Sequence, residues 1–310
     1  MSLEGSVLVC DEVDPVLGKI LKQNGLSVSY EPSITPEQLL ERAADHDVLV
    51  VRSRTRITAD VIAKAAKCRV IARVGVGLDN IDKDAASARE IRVLNAAEGA
   101  INAVAELVLS MMLSLARQTC RGDRGMREGK WLKKELKGTE LAGKYLGIVG
   151  LGNIGRRLAR MGRALNMNII GYDVVDIDPA FAKEVGLMRA DLDTLLSSSD
   201  YVSLHVPLLD STRHLLGAQK LALMKKTAVL INTSRGGVVD EDALYDALEA
   251  GRLGGAGLDV FEEEPATGSR LAGLDNVVLT PHVGAQTREA QSLAANVAAE
   301  KIVQALRGVI

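Results

Sequence analysis

The chain has 310 residues, 47% hydrophobic and 25% charged, which suits about two globular domains and excludes disorder as its dominant state. Its 38 basic residues against 40 acidic ones leave a formal charge of −2, and only 3% of residues are aromatic. That balance speaks against a nucleic-acid partner, whose binding rests on excess positive charge or on aromatic stacking surfaces.

Cys10, Cys68 and Cys120 are odd in number and far apart, and no CxxC occurs, so neither a disulfide framework nor a zinc knuckle is expected. His46, His205, His214 and His282 form no ligand cluster, so no metal is expected. The first residues lack a basic region and a long apolar stretch. The most apolar segment, 103–116, carries Glu106 and is too short to span a bilayer. The expectation is a soluble protein of a reducing, cytoplasmic compartment, with no membrane partner.

Short apolar runs alternate with helical patterns along the chain. Strands are expected at 6–10, 27–30, 48–51, 70–73 and 92–94, with helices such as 15–23, 36–44 and 59–66 between them. Thr58 is placed to cap the last of these, accepting a bond from a first-turn amide. A long helix is expected over 100–117. The segment 121–138 follows with seven basic and three acidic residues, and reads first as a solvated connector anchored by Trp131. A second alternating series places strands at 145–149, 168–172, 201–205, 228–232, 255–258 and 277–279, before an alanine-rich helix over 285–306. Two βα series imply two α/β lobes, each a parallel sheet between helices.

The strongest local signal is KYLGIVGLGNIGRRLARMG. Gly150, Gly152 and Gly155 form G-x-G-x-x-G straight after an apolar strand and at the head of a helix. The first glycine permits the turn, the second lets backbone approach a pyrophosphate, and the third lets helix and strand pack closely. The helix offers phosphates its free amides and positive end. The next strand ends at Asp173, where a carboxylate can bind both ribose hydroxyls of NAD. Asp176 and Asp178 follow with no arginine nearby in sequence, which disfavours the 2′-phosphate of NADP.

Three further strand ends carry reactive groups. Arg235 follows one strand in INTSRGGVVDEDAL, and its planar fork suits a carboxylate. The two glycines after it are expected to let the loop approach a ligand. GLDVFEEEP brings Asp259 and Glu264 after the next strand, and LTPHVGAQT brings His282 after the third. A histidine exchanges protons near neutral pH, and a carboxylate beside it fixes the tautomer and stabilises the imidazolium. His205 also sits at a strand end and ranks second as a base. His46 and His214 are expected to be surface or capping residues.

GLGNIG with Asp173, then NTSRGGVVDEDAL, GLDVFEEEP and TPHVGAQT, resemble the D-2-hydroxyacid dehydrogenase family over essentially the whole chain. NAAEGAINAVAE is similar to that family's NAPE segment, with Ala97 in place of the proline. The resemblance implies two doubly wound parallel-sheet lobes. A Rossmann NAD-binding domain at 98–285 would be inserted into a discontinuous flavodoxin-like substrate-binding domain at 1–97 and 286–310. It implies Arg235 for the substrate carboxylate, His282 for acid/base work and Glu264 as its partner. Implied NAD contacts are Val76 through its backbone, Gly150, Gly152, Asn153, Ile154, Gly155, Asp173, Val206, Thr233, Ser234, Asp259, His282, Gly284 and Ala285. Arg52, Ser53, Val76 and Gly77 match the substrate side, with Arg235 and His282. The implied partners are a small 2-hydroxy or 2-keto acid and a second copy, in a homodimer formed through the NAD domain.

Within the family, VVRSRT and RVGVGLDNID look most like the branch that oxidises 3-phosphoglycerate in serine biosynthesis. Arg52, Arg54 and Arg73 are the candidates to meet a phosphate, Arg52 first. Glyoxylate or hydroxypyruvate reduction is the alternative within the family. A non-catalytic, NAD-sensing corepressor on the same scaffold is the alternative from another class. Larger members of the phosphoglycerate branch carry regulatory domains, and with the last residue at Ile310, serine feedback through such a domain is not expected.

Overall fold

The computed structural model describes residues 3–310. Contacts divide the chain into two compact units, one running to Ala103 and resuming over Ala285–Ile310, the other Val104–Gly284. The sequence had placed these divisions six residues earlier and one residue later.

In the first unit, β1 (Ser6–Val9), α1 (Val16–Gln23), β2 (Ser27–Tyr30), α2 (Pro36–Arg42), β3 (Val48–Val51), α3 (Ala59–Lys64), β4 (Val70–Arg73), α4 (Lys83–Ala88) and β5 (Arg92–Asn95) alternate. All strands pair in parallel in the order β2-β1-β3-β4-β5, the flavodoxin-like arrangement. The central strands are buried on both faces. Val7, Val9, Val48 and Val50 join Leu17 and Leu21 of α1 in one core. Leu8, Leu49, Val51 and Ile71 join Leu39 of α2 and Val61 and Ile62 of α3 in the other. Burial on both faces explains why β3 reads VLVV rather than alternating. Side chains start the helices. Thr35 and Gln38 form a reciprocal capping box on α2, Thr58 accepts from the Val61 amide as expected, and Asp82 caps α4.

A 3₁₀ turn, Ala97–Ala100, leads into α5 (Ile101–Arg117). Together they make a 21-residue run, long and apolar enough to cross a membrane, so the expectation of a segment too short to span fails on length. Burial identifies it instead as a core helix: Ala105, Val108, Met111 and Met112 pack against Leu146, Ile148 and Ile231. The expected solvated connector contains another helix, α6 (Thr119–Arg127). Its Asp123–Arg127 pair, 2.7 Å apart, spans one turn.

The second unit continues with β6 (Tyr145–Val149), α7 (Asn153–Ala164), β7 (Asn168–Tyr172), α8 (Pro179–Val185), β8 (Met188–Arg189), α9 (Leu192–Ser198), β9 (Tyr201–Leu204), α10 (Ala218–Leu221), β10 (Val229–Asn232), α11 (Glu241–Glu249), β11 (Gly255–Leu258) and β12 (Val277–Leu279). Its parallel sheet has the order β12-β11-β10-β9-β6-β7-β8. The winding reverses at β6, which lies between β7 and β9. Open α/β sheets bind ligands at the carboxyl edge of such a switch point. The last helix, α12 (Arg288–Leu306), returns to the first unit, where Ala294, Ala295, Ala298, Ala299 and Ile302 enter the core beside α1.

Candidate active site

The glycine turn leaves β6 at the switch point. Gly150 has φ +94°, a left-handed conformation that disfavours other residues, and a Cβ there would lie 2.7 Å from the His205 carbonyl oxygen. A Cβ on Gly155 would overlap the Gly150 carbonyl, whereas one on Gly152 would meet nothing within 4 Å. The turn is therefore tight at its ends and open at its middle, where α7 presents its N-terminus. Asn153 and Ile154 form the first turn of that helix. Val206 flanks the turn, its Cγ1 3.1 Å from where a Gly150 Cβ would stand.

Asp173 fastens the turn from the end of β7. Its Oδ2 accepts the Leu151 amide at 2.6 Å and its Oδ1 the Val175 amide at 3.0 Å. The reading of a purely acidic surround needs correction. Arg189, at the end of β8, places Nη2 3.3 Å from Asp176 Oδ1, a neighbour invisible in sequence because β8 contributes it. Asp173→Ala is expected to weaken NAD binding by about ten- to a hundredfold, the worth of lost charge-assisted bonds, and to narrow the NAD/NADP affinity ratio. Fluorescence titration with both dinucleotides checks this; an unaltered ratio excludes Asp173 as the ribose ligand.

At the carboxyl end of β10, the Thr233 hydroxyl is buried without a hydrogen-bond partner. Such an atom costs about 1–3 kcal/mol unless something satisfies it. An orphaned hydroxyl, an open glycine and a helix N-terminus on one sheet edge fit a bound dinucleotide. Next along the chain, Asn232 shapes the Arg235 loop. It is only 1% exposed; its Nδ2 donates to the Arg235 carbonyl at 2.8 Å, and its Oδ1 accepts from the Ser234 amide and hydroxyl at 3.0 and 2.8 Å. The Arg235 guanidinium donates to the Ser234 carbonyl at 2.6 Å. Gly236, the first glycine after Arg235, has a packing role that the sequence does not show. A Cβ on Gly236 would overlap the backbone of Phe261, so Gly236 lets the loops after β10 and β11 touch.

The loop after β12 carries His282, held by Asp259 at the end of β11. Asp259 is 1% exposed and accepts from the Val283 amide (2.7 Å), the Gly284 amide (2.8 Å) and the Thr280 hydroxyl (2.6 Å). His282 itself has φ +53°, a conformation costing a non-glycine residue about 1–3 kcal/mol, which these bonds offset. Its Nδ1 lies 2.8 Å from Glu264 Oε2, and the Phe261 amide donates to Glu264 Oε1 at 3.2 Å. The carboxylate fixes the neutral ring's proton on Nδ1 and leaves the lone pair on Nε2. The two side chains remain 48% and 38% exposed, so the dyad is accessible. His205 is a weaker base: its Nε2 pairs with the buried Ser203 hydroxyl at 2.9 Å, and burial pushes its pKa down to about 4. His46 is buried but caps, as expected, its Nδ1 2.9 Å from the carbonyl of Arg42 at the end of α2, and His214 pairs with Glu262.

In the first unit, buried Asp11 shapes the loop after β3. Its Oδ2 accepts the Arg52 amide at 2.5 Å and its Oδ1 the Thr55 hydroxyl at 2.7 Å. Arg54 is a strut, bonded to the Cys10, Pro32 and Ile34 carbonyls and 3.1 Å from Asp11 Oδ1. The Arg73 guanidinium donates to the Gly77 carbonyl, while the Val76 carbonyl accepts from Asn95 Nδ2 at 2.7 Å. Arg54 and Arg73 are thus spent on loop structure. Arg52 makes one side-chain bond, to the Glu12 carbonyl at 3.3 Å, and Ser53 is exposed. Ala285 and Arg52 both line a small cavity in this unit.

Residues 109–284 match the family described as D-isomer specific 2-hydroxyacid dehydrogenase, NAD binding domain. The chain is 46% identical over 303 residues to a D-3-phosphoglycerate dehydrogenase of Methanocaldococcus jannaschii, covering 97% of this chain and 57% of that protein. It therefore spans little more than half the length of that relative. It is 44% identical over 290 residues to a hydroxypyruvate reductase of Thermotoga maritima, covering 93% of each. The solved D-lactate dehydrogenase of Aquifex aeolicus, complexed with NAD and lactic acid, superposes with a TM-score of 0.85 at 30% identity over 98% of this chain and 96% of that one. This chain belongs to the D-isomer specific 2-hydroxyacid dehydrogenase family, and its second unit carries that family's NAD-binding domain.

Proposed function

We propose that the protein oxidises 3-phospho-D-glycerate to 3-phosphohydroxypyruvate with NAD, the first step of phosphorylated serine biosynthesis. The observation that carries the chemistry is the 2.8 Å contact between His282 Nδ1 and Glu264. The acceptor for the hydride from the substrate carbon would be supplied by bound NAD. His282 takes the hydroxyl proton at Nε2, and Glu264 stabilises the resulting imidazolium. Arg235 holds the carboxylate through its fork and polarises the forming carbonyl. The glycine turn, α7, Asp173 and Thr233 hold the cofactor, and Arg52 meets the phosphate. The relative from M. jannaschii supports this substrate by name.

A second reading, hydroxypyruvate or glyoxylate reduction, is supported by the name of the T. maritima relative, 44% identical over 290 residues. The protein acts as a homodimer through the second unit. Leu113, Met126 and Trp131 support this, as large apolar side chains left 45%, 58% and 77% exposed on or beside α5 and α6. Three free thiols support a reducing, cytoplasmic setting. NADH absorbance with 3-phosphoglycerate, D-glycerate, hydroxypyruvate, glyoxylate and sulfolactate tests the reading. The highest kcat/KM is expected with 3-phosphoglycerate. A preference for unphosphorylated hydroxypyruvate selects the second reading, and NAD binding without turnover on any acid returns the corepressor-like one.

A further inference from the structure

Outside the reacting groups, two glutamates bind each other's backbone. The Glu241 amide, at the first turn of α11, donates to Glu262 Oε1 at 3.0 Å. The Glu262 amide, in the loop after β11, donates to Glu241 Oε1 at 2.5 Å. His214 Nε2 adds a third tie, 3.1 Å from Glu262 Oε1, and the His214 amide donates to the Gly237 carbonyl at 2.8 Å. The junction is placed between the functional loops. Arg235 lies six residues before Glu241, joined to it through Gly236, whose missing Cβ lets the Phe261 backbone approach. Glu264 lies two residues after Glu262 and is bonded to the Phe261 amide.

Gathering these carboxylates is unfavourable in itself. Burial raises the Glu241 carboxyl above its ordinary value; the Glu262 amide bond works against this, and the charges of Glu262, Asp242 and Glu263 add to it. A helix start needs no such arrangement, because Asp240 already caps α11 by accepting from the Ala243 amide at 2.9 Å.

We propose that the reciprocal Glu241–Glu262 pair is a clasp that sets the Glu264 loop against the Arg235 loop, making Glu262 a positioning residue for proton transfer at His282. The inference rests on the dehydrogenase reading for its kinetic consequence but not for its geometry. Glu262 acts through Glu264, two residues on in the same loop. Because both ties to the Glu262 side chain, from the Glu241 amide and from His214 Nε2, end on its Oε1, an amide oxygen can take that oxygen's place.

The test compares Glu262→Ala, Glu262→Gln and Glu241→Ala. Glu262→Ala is expected to lower kcat by about tenfold or more, since small misplacements of catalytic groups carry large rate costs, while NAD affinity stays at the wild-type value. Glu262→Gln is expected to recover kcat to within about threefold, because the acceptor is retained. Glu241→Ala moves kcat in the same direction as Glu262→Ala and keeps the test alive should that variant not fold. A second readout needs no turnover: the NMR signal of the His282 Nδ1 proton, hydrogen-bonded to Glu264, should shift in Glu262→Ala and persist in Glu262→Gln. Wild-type kcat and an unmoved Nδ1 signal in the alanine variants overturn the clasp, as does a glutamine variant as impaired as Glu262→Ala. A wild-type protein inert towards every hydroxy acid defeats the dehydrogenase reading alone and leaves the NMR comparison to judge the clasp.

Discussion

Replacing His282 with alanine is expected to lower kcat by about 10²–10⁴-fold, the usual contribution of a positioned base, with NAD affinity close to wild type. The separation is possible because the turn is held by groups the substitution leaves in place. Asp259 binds the amides of Val283 and Gly284 and the Thr280 hydroxyl, and its carbonyl accepts the amide of residue 282. The φ of +53° at this position costs alanine somewhat more than histidine, which tolerates the left-handed region better, and the Asp259 bonds are what hold it. Steady-state NADH absorbance and a cofactor titration measure the two quantities. Wild-type turnover removes His282 from the mechanism. Joint loss of turnover and NAD binding means that the imidazole supports the loop rather than the chemistry.

The glycine fingerprint and the strand-end placement of Arg235, Glu264 and His282 were legible because each is local. A glycine turn needs a particular backbone, and a buried parallel strand needs a run such as VLVV. Features created by partners far along the chain were not legible. Arg54 reads as a candidate to meet a phosphate, yet it braces three carbonyls brought together by β1 and the segment before α2. Gly236 reads as room for a ligand, and its real neighbour is Phe261. Asn232 and Thr280 begin NTSRGGVVDEDAL and TPHVGAQT with no role evident, although both shape loops of the candidate site. The available signal was a polar residue at or just beyond the end of an otherwise apolar strand. β8 has only two residues, both exposed, too few to show a period, and with it went Arg189. The helix α6 is hidden by two glycines within nine residues of TCRGDRGMR, which disfavour helix on their own, whereas in the fold Gly125 packs against Leu132.

Acid should weaken the fold through His205 before it reaches the carboxylates. Burial holds this imidazole neutral, with a pKa of about 4 against an ordinary 6.5. Between those values the unfolded chain binds a proton that the native protein refuses, so stability is whole above pH 6.5 and falls as pH drops towards 4. The full interval corresponds to about 3 kcal/mol, an upper figure because the side chain keeps a partly exposed edge. At pH 5 the loss attributable to this one group is about 2 kcal/mol. Carboxyls such as Asp47 and Asp200 move the other way: amide, hydroxyl and ammonium partners outweigh their desolvation and lower them, so their contribution is lost only as pH falls further, through their native values. Raised carboxyls such as Glu241 are common to the wild type and a variant at this position, so the difference between the two proteins from pH 7.5 to 5 isolates the histidine. Urea unfolding at those two pH values, for the wild type and for His205→Gln, makes the comparison, since glutamine still offers Ser203 a hydrogen-bonding side chain but binds no proton. The variant should lose about 2 kcal/mol less than the wild type across the interval. Equal losses in the two proteins would show that His205 is protonated as readily in the fold as in the open chain, and that the imidazole beneath the glycine turn is not held neutral at all.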